Sequence, residues 1–167
     1  MEKLWSPWRS KYIESFNSDP DLSKCIFCQI ASLNPDDPDN LIVYKDKYTF
    51  TLLNLYPYNN GHLMIVPYRH TNDFISLSKE ECSELMKNLQ LAQQALLKVI
   101  HPHGFNIGAN IGKVAGAGIE DHIHFHIVPR WNGDSNFMPV IGEVKVISQD
   151  LQETKFRLIQ AYTELLK

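Results

Sequence analysis

The chain has 167 residues, 44% of them apolar, and sixteen basic against nineteen acidic side chains leave a net charge of −3. That length suits one domain able to bury its own core, and that charge carries no field to hold nucleic acid nonspecifically. No apolar run is long enough for a membrane span and the first ten residues lack the core of a secretion signal, while three cysteines are an odd count for a disulfide framework, so a cytoplasmic protein is expected.

Residues 1–24 read as an irregular arm with aromatic anchors at Trp5, Trp8, Tyr12 and Phe16, followed by Cys25-Ile26-Phe27-Cys28 and an acidic, turn-forming stretch at 34–40 taken as a solvated loop. Three strand-like runs at 41–45, 48–53 and 62–67, the last two joined by Tyr-Pro-Tyr-Asn-Asn-Gly, predict an antiparallel meander. From Ser78 the apolar period becomes helical. Leu85, Leu89, Ala92, Leu96 and Val99 share a stripe, Ser78 and Glu81 form a capping box, and His101-Pro102-His103-Gly104 ends the helix with its two histidines on the surface. Cys82 reads as a small core residue, whereas Met86, Leu91 and Leu97 lie off the stripe and can face a second subunit.

Residues 105–110 and 122–128 read as two more strands, joined by the glycine-rich segment 112–118. Residues 151–166 form a C-terminal helix, with Asp150 and Glu153 at its start and Leu151, Leu158, Tyr162 and Leu165 along its stripe. An antiparallel sheet of about five strands with a long helix and a C-terminal helix is an α+β fold, with its core over 25–130 and a closing loop and helix over 131–167.

The chemistry concentrates in His122-Ile123-His124-Phe125-His126-Ile127-Val128. On a strand side chains alternate, so the three imidazoles share one face and Ile123, Phe125 and Ile127 the other. Imidazoles four residues apart on a straight strand are separated by about 13 Å, so one metal ion cannot take all three and at least one is left for catalysis. Neutral imidazole is a good nucleophile near neutral pH, and the phosphoramidate it forms is readily opened by a second acceptor. The developing charge needs donors, which the amides of the glycine-rich loop can supply where no side chain intervenes.

The histidine run resembles the histidine-triad pattern, and the chain is identified as similar to the HIT superfamily. Cys25-Ile-Phe-Cys28, Asn54 at a strand end, Gly61-His62 through Pro67 with His70 after it, and Asn110-Ile-Gly112 carry the likeness further. Trp5-Ser-Pro-Trp8-Arg and the segment from Pro129 through Asn136-Phe137-Met138-Pro139 resemble the branch containing diadenosine tetraphosphate phosphorylases. The resemblance implies that His124 is adenylylated, that His126 donates a hydrogen bond near the phosphate and that His62 buttresses the triad. It implies that Asn54 holds the ribose, Asn110 a phosphate oxygen, and Gly116, Ala117, Gly118 and Ile119 the rest of the phosphate through the main chain. The serine or threonine common in that loop is missing here. The resemblance further implies a structural zinc on Cys25, Cys28, His70 and His122, no organic cofactor, and a homodimer.

Three functions compete. One is transfer of a nucleotidyl group from a dinucleoside polyphosphate or purine nucleotide through His124, to inorganic phosphate or, in a hydrolase of dinucleoside polyphosphates or phosphoramidates, to water. The second is a nucleotide-binding module with weak turnover, which the intact middle histidine disfavours. The third is a metal-dependent hydrolase, disfavoured because the nearest carboxylates, Glu120 and Asp121, flank the triad face. The tryptophans Trp5, Trp8 and Trp131 are read as packing the arms against the domain or a partner subunit.

Overall fold

A computed structural model describes residues 25–134 and 150–167; the expectations for Trp5, Trp8, Tyr12, Phe16 and residues 136–139 lie outside them. Five strands form one antiparallel sheet: β1 (Ile42–Lys45), β2 (Thr49–Leu53), β3 (Leu63–Pro67), β4 (Gly104–Gly108) and β5 (Phe125–Arg130), in the order β1-β2-β3-β5-β4. The meander of the first three strands is the expected one, and β5 then slots between β3 and β4, so that the chemistry-bearing strand is interior to the sheet. The helices are α1 (Ile26–Ala31), α2 (Lys79–Ile100) and α3 (Leu151–Leu165), with short 3-10 turns at Phe74–Ser76 and Lys113–Ala115. No described helix is long and apolar enough to cross a membrane.

Alternation along the strands divides the sheet into two faces. Leu53, Leu63, Ile65 and Ile127 pack under α2 and α3, where the stripe of Leu85, Leu89, Ala92, Leu96 and Val99 meets Leu158 and Tyr162. Ile42, Phe50, Leu52, Met64 and Val66 form the opposite face, closed by Phe27 of α1. His126 pairs with Met64 and therefore belongs to this second face.

The start of α2 is fixed as its sequence dictates. Ser78 Oγ accepts from Glu81 N at 3.1 Å and Glu81 Oε2 from Ser78 N at 2.8 Å, while Arg69 pairs with the same carboxylate. His101 ends the helix in the left-handed region with φ 47°, exposed as expected. Two residues on this helix differ from expectation. Cys82 is exposed, the buried place in that turn being taken by Glu81, and Leu91 is buried in the core rather than turned to a partner.

Candidate active site and metal-binding cluster

The triad does not lie on one straight strand. Only His126 is in β5, which starts at Phe125; pairing with β3 covers Phe125, His126 and Ile127 alone. Before that point Ile123 N donates to Thr71 O at 2.7 Å, so residues 122–124 follow the loop after β3 and leave the ladder. The expected strand over 122–128 therefore begins three residues late and ends at Arg130. The apolar side chains keep their role, since Ile123 and Ile127 are in the helical-side core and Phe125 packs against it.

This departure sends the imidazoles to different neighbours. His122 Nε2 donates to Pro67 O at 2.8 Å, because a carbonyl only accepts, and its Nδ1 lies 3.2 Å from Cys25 Sγ and 3.7 Å from Cys28 Sγ. His124 Nδ1 donates to the His122 carbonyl at 2.8 Å, which leaves its Nε2 lone pair available. Tyr58 N, a donor only, gives its hydrogen to His62 Nδ1 at 3.1 Å. The proton of His62 is thus on Nε2, which donates to His126 Nδ1 at 2.9 Å, so the hydrogen of His126 is on Nε2. A nucleophilic nitrogen and a donor nitrogen follow, on rings whose centroids are 4.9 Å apart.

Burial keeps these rings neutral. Desolvation depresses His124 and, with His124 beside it, pushes His126 down to about 4. His122 is lowered by the same cause, reinforced by His70 and His124. Phe27 packs on His124 with centroids 4.9 Å apart and on His122 at 5.5 Å, and Tyr58 stacks on His62 at 4.8 Å. His62 itself is fully buried. Its place is set by Gly61, whose φ of 71° favours glycine and whose added Cβ would meet Ile100 Cδ1 at 2.6 Å.

Cys25, Cys28, His70 and His122 bring one ligand atom each to within 4.8 Å of one another, the metal-ligand group among the described residues. The donor set of two thiols and two imidazole nitrogens fits a tetrahedral ion. The hydrogen bond from His122 Nε2 to a backbone carbonyl fixes the tautomer that aims Nδ1 at the thiols, the outer support metal-binding histidines use. Burial, and then the nearby Cys25, raise the Cys28 thiol above its ordinary value. Both cysteines flank Phe27 at the start of α1, a six-residue helix too short for a helical period to register in the sequence.

A cavity of about 300 Å³ opens beside Phe27, walled by Ile26, Phe27, Ile30, Leu52, Met64 and Ile119 and reaching Asn54. Asn54 directly follows β2. Its Oδ1 accepts from Tyr56 N at 2.9 Å and its Nδ2 is 3.4 Å from His62 Nδ1, so it lies between cavity and imidazoles. β4 places Gly108 opposite His126 and carries the chain on to a half-buried Asn110. In the glycine-rich loop, Gly116 N donates to Lys113 O and Ala117 N to Gly112 O, so those two amides are engaged within the loop. The amides of Gly118 and Ile119 make no hydrogen bond with the described residues and are the ones left for a ligand. His101 and His103 are exposed and stand apart from this constellation.

The sequence reading missed the walls of the cavity and the part of Tyr58. The first had for signal only the run Ile26-Phe27-x-x-Ile30, too short to set a helical period. The second had none, since it acts through its main chain.

Comparison with known proteins gives a consistent picture. The HIT domain family model matches residues 36–133. An AP-4-A phosphorylase of Mycobacterium tuberculosis is 42% identical over 93% of this chain and 81% of its own length. A bis(5'-adenosyl)-triphosphatase of Saccharomyces cerevisiae is 36% identical over 54% of this chain and 44% of its own. Among solved structures, a zinc-bound histidine triad family protein from Mycobacterium smegmatis aligns with a TM-score of 0.69 and 30% identity, covering 86% of this chain and 96% of that one.

Proposed function

Since the chain belongs to the HIT family, we propose that it is a nucleotidyl-transfer enzyme that cleaves diadenosine tetraphosphate through an adenylylated His124, with inorganic phosphate as acceptor and ADP and ATP as products. The observation that carries this reading is the hydrogen bond from His124 Nδ1 to the His122 carbonyl, which frees Nε2 to attack. Adenosine enters the apolar cavity with its ribose at Asn54. The Nε2 lone pair of His124 attacks the α-phosphorus, the bond to the bridging oxygen breaks, and ATP departs. His126 Nε2–H hydrogen-bonds a phosphate or leaving oxygen, oriented by the relay from Tyr58 through His62. Phosphate then attacks the same phosphorus, restoring His124 and releasing ADP. Asn110 and the amides of Gly118 and Ile119 hold the non-bridging oxygens.

Cys25, Cys28, His70 and His122 would hold a structural zinc that ties α1 to the segment before β5. In this reading a bound ion supplies rigidity, and no step of the transfer passes through it. The exposed Met86 and Leu97, which share one face of α2, support a homodimer, to be checked by sedimentation. The free thiols suit a cytoplasmic setting.

Incubating the protein with diadenosine tetraphosphate, with and without millimolar phosphate, tests the reading. Phosphate should raise the rate and turn the products to ADP plus ATP. Accumulation of AMP plus ATP at an unchanged rate would leave a hydrolase, the class the yeast triphosphatase name favours.

A further inference from the structure

The cavity has an end that the reaction above does not use. β1 lies three strands from β5, about 14 Å at ordinary strand spacing, and α3 packs beside it with Tyr162 stacked on Tyr44. There the wall comes from the turn that enters β1 and from the first turn of α3, through Asp39, Asn40, Leu41, Leu151 and Gln152. Lys155 ties these two pieces together. Its buried Nζ donates to Asp37 O at 2.6 Å and to Asn40 O at 3.0 Å.

The Asn40 side chain is consumed in this junction, accepting from Ile42 N and donating to Asn34 O. The Asp39 carboxylate and the Gln152 carboxamide are not: neither makes a hydrogen bond with the described residues, and both line a mostly apolar cavity at the end away from the imidazoles. Pockets of this kind use a few convergent polar groups to select their ligand.

We propose that Asp39 and Gln152 read the edge of the base and make the site selective for adenine over its 6-oxo counterpart hypoxanthine. The proposal rests on the reading that the nucleoside occupies this cavity. Adenine presents an amino group with two hydrogens beside an acceptor nitrogen, whereas hypoxanthine presents a carbonyl oxygen beside an N–H. A carboxamide can rotate to offer either its oxygen or its N–H, so Gln152 complements both purines. An ionised carboxylate only accepts. Asp39 therefore pairs with the amino group and opposes the carbonyl, which makes it the discriminating residue, while Gln152 adds affinity for either base.

Calorimetric titration with AMP and with IMP tests the assignment in the full chain, its Asp39→Asn and Asp39→Ser variants, and Gln152→Ala. The wild type should bind AMP about tenfold more tightly than IMP. Asp39→Asn, whose amide can turn its N–H toward the carbonyl, should bring the two within about twofold, and Asp39→Ser should also erase most of the preference. Gln152→Ala should weaken both ligands alike and keep the ratio. A wild-type ratio near one, or full preference retained in both Asp39 variants, overturns the proposal. Labelling of His124 by diadenosine tetraphosphate separates the two levels: labelling with a ratio near one rejects base readout alone, and absence of both labelling and nucleotide binding rejects the transfer reading with it.

Discussion

His122 and His126 are four residues apart in one short run, yet the fold satisfies opposite nitrogens on them. His122 gives its Nε2 hydrogen to the rigid Pro67 carbonyl and turns Nδ1 toward two sulfurs. His126 receives a hydrogen at Nδ1 from His62 and keeps its own on Nε2. One ring is turned toward two thiols and the other keeps a hydrogen to donate because of what stands behind each, not because of the residue type. His124, between them, leans on the carbonyl of the first and touches the ring of the second.

The sharpest way to break this division is to remove the ring that neither neighbour can replace. His124→Ala should lower turnover of diadenosine tetraphosphate by about 10⁴-fold or more in steady-state assays, because no adjacent group can form the covalent intermediate. AMP binding should stay within a few-fold of wild type by calorimetry. Activity near the wild-type level would remove His124 from the chemistry.

Next in size is the relay. His62→Phe keeps the buried ring but deletes its hydrogen bond to His126, and kcat should fall by about 10- to 100-fold with little change in KM. An equal loss in the binding of AMP would instead make His62 a packing residue only.

On the other side of the comparison, Cys25→Ser should abolish the proposed zinc binding and lower the thermal midpoint, with residual turnover remaining because the proposed ion takes no part in the transfer. Elemental analysis of protein purified without added metal, followed by calorimetry, checks both parts. Metal-free wild-type protein with an unchanged midpoint would contradict the cluster's proposed role.

The pH dependence is the smallest of these effects. The depressed His126 favours the neutral form in the folded state, so its contribution is intact above the ordinary imidazole value of 6.5 and is lost as pH falls toward about 4, where the folded form also takes up a proton. The denaturant midpoint should decline across that window, and the acid limb of kcat/KM should lie below 6.5. A limb at 6.5 would mean that the imidazoles are solvated.

Much of this was legible in the chain. Alternation gave the meander, the Ser78 and Glu81 pair gave the start of α2, and the Cys-x-x-Cys spacing, joined to His70 and His122 through the family resemblance alone, gave the four residues that the structure brings together. Other features depend on contacts distant in sequence. The bond from Ile123 N to Thr71 O withdraws residues 122–124 from the strand, and a period of two in the sequence cannot report such a partner. Cys82 looked like a core residue by type, but the buried side chain in that turn is Glu81, held by Arg69 from outside the helix. Lys155, charged and buried at the C-terminal helix, was invisible because its acceptors are backbone carbonyls more than a hundred residues away.

The central claim is that a covalent bond forms at His124 Nε2 while His122 and His126 stay unmodified. Rapid quenching with labelled diadenosine tetraphosphate in the absence of phosphate, followed by peptide mapping under alkaline conditions that preserve phosphoramidates, tests it directly. An adenylyl group on His124 alone, discharged as ADP when phosphate is added, is the predicted result. Label on His126, or turnover at the normal rate with no label on any histidine, would contradict it.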